Sequence, residues 1–177
     1  MKHIYIILTN TNTKVSKFIR IFTREEYNHV SIAVCDGCKE MYSFSRWIVW
    51  FPLIAGFAKE SVDEGVLAQH PETKCIIYDL EVSDKNYALV LKRLKRFLIN
   101  PKKYKYSFIN IPLMFLNIPY ERKDLYVCST FVSCILKGIV DFEKNMMLIK
   151  PSDYTYLNLN SVYEGKLRDF VYSNNAC

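Results

Sequence analysis

The chain opens with a short apolar, β-branched run, His3-Ile4-Tyr5-Ile6-Ile7-Leu8-Thr9, which ends in a polar loop and reads as a buried strand over 3–9. Val15, Phe18, Ile19 and Phe22 then recur at helical spacing behind Thr13, so a helix is expected over 14–22. Residues 28–34 alternate: Val30, Ile32 and Val34 face one way, His29, Ser31 and Ala33 the other. Asp36-Gly37 signals a two-residue hairpin, with a return strand over 39–46. Residues 47–64 are aromatic and carry no assignable period. A strand over 74–82 leads to a Ser83 or Asp84 cap and a helix to about residue 99, with Tyr87, Val90, Leu91, Leu94, Phe97 and Leu98 on one face. Residues 104–126 read as aromatic loop and short helix, broken at Pro112 and Pro119. A second clear helix covers about 128–138, with Gly138 suited to its C-terminal cap. The tail over 150–172 is mixed. The sum is an α+β fold, a small antiparallel sheet packed against two or three helices.

Composition narrows the reading. A chain of 177 residues, half of them apolar, is expected to form one domain spanning 1–177 with a real core. Glycine is scarce, and no phosphate-cradling glycine motif occurs. Much of the net charge of +6 sits in two clusters, Lys92, Arg93, Lys95 and Arg96, then Lys102, Lys103 and Lys105, which read as a solvated helix face and the loop after it rather than a nucleic-acid interface. No apolar stretch approaches the roughly 20 residues a membrane span needs, so no stable membrane insertion is expected. The first apolar run is too short for an export signal. A cytoplasmic protein with free thiols is therefore the expectation. Cys35-Asp36-Gly37-Cys38 sits on a hairpin tip without partner ligands and reads as two incidental thiols, not a metal half-site.

Two residues stand out as candidate chemistry. His29 lies on an alternating strand beside Ser31 and Ala33, small neighbours that leave room for a second group to approach the imidazole. Cys128 opens an apolar helix, where unpaired N–H groups and the positive end of the helix dipole favour a thiolate. The same N–H groups can hold an oxyanion. A cysteine at a helix start and a histidine on an opposing strand form the papain-type pairing for attack on a carbonyl. Cys134, in mid-helix, reads as a structural thiol.

The segments Tyr27-Asn28-His29-Val30-Ser31-Ile32-Ala33, Met41-Tyr42-Ser43-Phe44-Ser45-Arg46 and Tyr126-Val127-Cys128-Ser129-Thr130-Phe131-Val132, in this order, resemble the circularly permuted NlpC/P60 papain-like proteins of the YiiX/YaeF type. The resemblance covers about residues 4–60 and 104–155. It implies a barrel-like sheet packed on helices and a cysteine amidase, peptidase or acyltransferase, with Cys128 as nucleophile and His29 as base. Relatives often carry a glutamate on the strand after the histidine strand, where this chain has Tyr42-Ser43. The third position is thus open between Tyr42, Glu40 and none. A two-residue turn at Asp36-Gly37 would put Tyr42 on the face of His29, and Tyr42 is the favoured candidate. Thr9, Thr11 and Ser16 resemble positions near the site and are read as structural.

The expected activity is cysteine-dependent hydrolysis of an amide or peptide bond in a peptide or amide-containing small substrate, with no metal or organic cofactor and no nucleic-acid partner. A lipid acyltransferase or thioesterase is an alternative, encouraged by the aromatic run 47–57. A non-catalytic binding module is another, kept open by the missing acid at position 42.

Overall fold

A computed structural model describes residues 1–11, 26–46 and 55–174. The expected helix over 14–22, Ser16, Trp47, Trp50, Phe51 and Cys177 lie outside the described residues. Among the described residues, eight strands form one open sheet, β1 (Lys2–Asn10), β2 (His29–Ala33), β3 (Met41–Arg46), β4 (Ala55–Glu60), β5 (Lys74–Val82), β6 (Lys105–Tyr106), β7 (Leu125–Tyr126) and β8 (Asn160–Lys166), in the order β7-β6-β4-β3-β2-β1-β5-β8. All neighbours are antiparallel except β6 and β7. The helices are α1 (Gly65–Gln69), α2 (Asp84–Ile99), α3 (Asn110–Phe115), α4 (Cys128–Leu136) and α5 (Leu167–Ser173). The fold is α+β, as expected. The sheet is larger than expected and open rather than barrel-like, because β7 and β8 stand at opposite edges instead of closing on each other.

Strand alternation sorts the apolar residues into two cores. Ile4, Ile6 and Leu8 of β1, Val30 and Ile32 of β2, and Phe44 of β3 face α2 and α4. Ile7, Ala33, Met41, Cys75 and Ile77 face the other way, onto Leu67 of α1 and onto Leu167 and Val171 of α5. The first core is aromatic at its centre. The Phe131 ring of α4 lies 5.0 Å from Phe97 of α2, 5.3 Å from Phe44 and 5.6 Å from Phe57. Tilted and edge-on rings at these separations add about 0.5–1.5 kcal/mol per pair beyond buried area. They fix α4, and the cysteine at its start, against the sheet.

Helix ends follow local chemistry. The Ser83 hydroxyl accepts the Asn86 N–H at 3.3 Å and starts α2. Gly138, at φ 74°, follows the end of α4 in the left-handed conformation expected of it. Of the predicted apolar face of α2, Val90, Leu94 and Phe97 are buried, while Leu91 and Leu98 are exposed. One member of the basic cluster is structural: Arg93 donates to the backbone carbonyls of Ile135 and Lys137, at 2.6 and 2.8 Å, satisfying the open end of α4.

The connection between β2 and β3 is not the expected two-residue hairpin. A 3-10 turn at Asp36–Cys38 lengthens it, and Ile32 pairs with Tyr42. A two-residue turn would have set Ser31 opposite Tyr42. The slip of one residue turns every β3 side chain to the other face. Gly37, at φ 74°, packs against the backbone carbonyl of Asn174 with no room for a Cβ. The free-thiol expectation fails at Cys35, which is disulfide-bonded. Cys38 is a buried thiol outside that disulfide, so the pair does not bond to itself; sulfur–sulfur pairing needs an approach that sequence spacing does not reveal.

Arg93→Ala should weaken the fold by about 1–2 kcal/mol, since two carbonyls lose a charged donor. Urea denaturation checks this, and Arg93→Lys should recover part of the loss.

Candidate active site

His29 is the first residue of β2, paired with Thr9 of β1, and Cys128 is the first residue of α4. The two lie within hydrogen-bonding reach of each other. The imidazole Nε2 also meets both carboxylate oxygens of Glu60 at 3.2 Å. With Nε2 given to Glu60, Nδ1 is the ring nitrogen left for the sulfur. The Ser31 hydroxyl donates to Glu60 at 2.6 Å and lies 3.3 Å from Nε2. The side chains of His29 and Glu60 are only 18 % and 13 % exposed, and Cys128 is buried.

Glu60 completes this group, and sequence reasoning missed it. It ends β4, within the 47–64 stretch that carried no readable period. Met41 pairs with Glu60, and Ser43 with Ala58, so Glu60 shares a face with Ser43 and, across β3, with Ser31 and His29. A signal was present: Gly56, Ala58 and Glu60 alternate with Phe57 and Lys59, repeating the small-residue face beside the polar group seen at His29, Ser31 and Ala33.

Tyr42 and Glu40 do not serve as the third member. Tyr42 lies on the face opposite His29, where its ring stacks parallel to Phe57. Its hydroxyl donates to Glu40 at 3.2 Å, and Glu40 also takes Lys59 at 2.6 Å in an exposed cluster. Thr9 faces His29 from β1 and is buried, and Thr11 is half-buried.

Burial by itself would push the His29 imidazole down. The Glu60 carboxylate, the hydrogen bonds to Cys128 and Glu60, and the charge of Cys128 outweigh it and hold His29 well above its ordinary 6.5. Burial likewise works to raise Glu60, but the imidazolium charge, the His29 bond and the Ser31 hydroxyl hold it down to about 2, with help from nearby Ser43. At neutral pH the pair is therefore imidazolium and carboxylate. Elsewhere, burial pushes the Cys134 thiol up and pushes Cys75 up to about 12.

The start of α4 provides donors. Val127 gives its N–H to the Thr130 hydroxyl at 3.0 Å, and Phe131 makes the first intrahelical bond, to the Val127 carbonyl. The N–H groups of Cys128 and Ser129 precede that bond and have no acceptor inside the helix. A narrow cleft of about 70 Å³ reaches Cys128. Its walls are largely apolar, from Tyr27, Tyr106, Ile111, Met114 and Phe115, with Lys150 and Pro151 on one side. Among the described residues, no group of three His, Cys, Asp or Glu side chains could hold a metal ion. Among the same residues, no helix is long and apolar enough to cross a membrane.

The ion pair sets a pH window. The depressed Glu60 contributes stability that is present above 4.5 and lost as pH falls through about 2. The raised His29 contributes stability that is present below 6.5 and lost as pH rises through its higher folded value. Urea denaturation across pH should show this contribution greatest between 4.5 and 6.5. In Glu60→Gln both limbs should flatten, and His29, without the carboxylate, should titrate lower when followed by NMR of the ring protons.

No family model, curated protein or solved structure matches this chain.

Proposed function

We propose that this protein is a cysteine-dependent hydrolase that cleaves an amide or peptide bond, with Cys128 as nucleophile, His29 as base and acid, and Glu60 as the group that holds and charges the imidazole. One observation carries the reading: a single, largely enclosed imidazole is held by a carboxylate at 3.2 Å and lies close enough to the thiol that opens a helix for that thiol to raise its pKa. A purely structural histidine–glutamate pair has no need of a sulfur on its other nitrogen. Glu60 supplies the negative charge that Tyr42 could not, which supports a catalytic reading over a non-catalytic module.

The chemistry follows from these positions. In the resting site the Cys128 thiol proton resides on His29, leaving a thiolate beside an imidazolium that Glu60 stabilises. The sulfur attacks the substrate carbonyl carbon, and the π pair moves to oxygen. The Cys128 and Ser129 N–H groups receive the developing oxyanion. The intermediate collapses, the C–N bond breaks, and the leaving amine takes the proton from His29. Water then attacks the thioester carbonyl, giving a proton to His29; the C–S bond breaks, the carboxylic acid leaves, and the thiolate–imidazolium pair is regenerated.

A second reading, an enzyme acting on apolar acyl esters or thioesters, draws on one feature, the apolar lining of the cleft. It uses the same three residues.

Iodoacetamide should alkylate Cys128 in the native protein well before Cys134 and Cys75, whose thiols burial pushes up. His29→Ala should slow Cys128 by about 10²-fold or more, and Glu60→Gln by on the order of tenfold or more. Tyr42→Phe should leave the rate near that of the wild type. Peptide mapping by mass spectrometry reads all four. Equal labelling of Cys128 and Cys134 would end the thiol proposal.

A further inference from the structure

We propose that the cleft beside Cys128 takes a substrate with an apolar body and one anionic group, and that Lys150 receives the anion. The inference rests on the reading above and adds the substrate class. Lys150 lines the same cleft as Cys128, whose other walls are mainly apolar. An ammonium placed in such a wall is poorly solvated and gains from a counter-charge. Its Nζ lies 5.1 Å from the centre of the Phe115 ring, a contact that holds the cation without neutralising it. Among the described residues no carboxylate pairs with it. The nearest acid in sequence, Asp153, is already engaged. It accepts Lys144 at 2.8 Å and the backbone N–H of Lys150 at 2.7 Å.

The position of Lys150 is built rather than incidental. The Asp153 carboxylate and Pro151 start the 3-10 turn Pro151–Tyr156 directly after it. The fully buried Tyr154 in that turn donates its hydroxyl to the Ser129 carbonyl at 2.8 Å. Ser133 donates to the same carbonyl at 2.7 Å. The backbone carrying the cation is thereby tied to the residue next to the nucleophile. Beyond Phe115 the apolar surface runs on to Leu116, which is 67 % exposed, so a long apolar group need not end inside the cleft. A neutral chain leaves Lys150 unanswered, and a cationic substrate is repelled by it. A carboxylate and a phosphate share the required chemistry.

Two chloroacetamides of equal length separate the effects: N-hexyl chloroacetamide and N-chloroacetyl-6-aminohexanoate. Each reacts as the Cys128 sulfur forms a C–S bond and displaces chloride. Wild-type Cys128 should react with the anionic probe roughly tenfold faster at low salt, and added salt should shrink the preference. Lys150→Met should abolish it, and Lys150→Arg should keep it. No preference in the wild type, or one that survives Lys150→Met, overturns the inference. In Cys128→Ala, NMR titration with octanoate, octyl phosphate and octanamide reads binding without the thiol. Tighter binding of either anion than of octanamide, lost in Lys150→Met, supports the anion site, and the stronger of the two names the anion. Binding indifferent to Lys150 overturns it. If Cys128 is inert to both electrophiles while octanoate binding depends on Lys150, the thiol reading fails and the anion site stands.

Discussion

A carboxylate and an imidazole share a nearly dry space on one face of the sheet, and the arrangement of the site depends on that pair. Neither charge is tolerable there alone, since desolvation opposes both. Each is held in its charged form by the other. The pair also fixes geometry. The contact of Nε2 with Glu60 orients the ring and leaves its second nitrogen open. The small residues around it, Ser31, Ser43, Gly56 and Ala58, let two long polar side chains converge from β2 and β4 across the intervening β3.

Cys128 is placed by a different set of forces. The aromatic contacts of Phe131 with Phe44, Phe57 and Phe97 press α4 onto the sheet. Arg93 closes the far end of the helix, and Tyr154 locks its first turn to the segment that follows Lys150. Cys128 thus sits at the one end of the helix where N–H groups remain open. Packing positions the sulfur and electrostatics positions the imidazole, so the site joins two independently specified halves.

Much of this was readable along the chain. Periods of two and of 3.6 placed β1, β2, β5, α2 and α4 close to where they lie, and the cap residues Ser83 and Gly138 act as their chemistry requires. His29 and Cys128 were legible because each carries a local signature, a small-residue strand face and a helix start. Glu60 was obscured by a stretch whose aromatic residues mask the alternation of a six-residue strand. The short strands β6 and β7 and the edge strand β8 carry too little pattern to announce themselves, since their pairing is set by neighbours distant in sequence.

The sequence by itself determined the α+β class, the two apolar faces of the central strands, and the identity of the thiol and the imidazole. These depend on periodicity and on residues a few positions apart. Only the tertiary structure decided the register of β3, and with it which acid meets the histidine. One additional turn residue after β2 moves Tyr42 to the opposite face and leaves Glu60, brought in by β4, to complete the group. The physical reason is the two-residue period of a strand: a shift too small to alter any local pattern reverses the direction of every side chain.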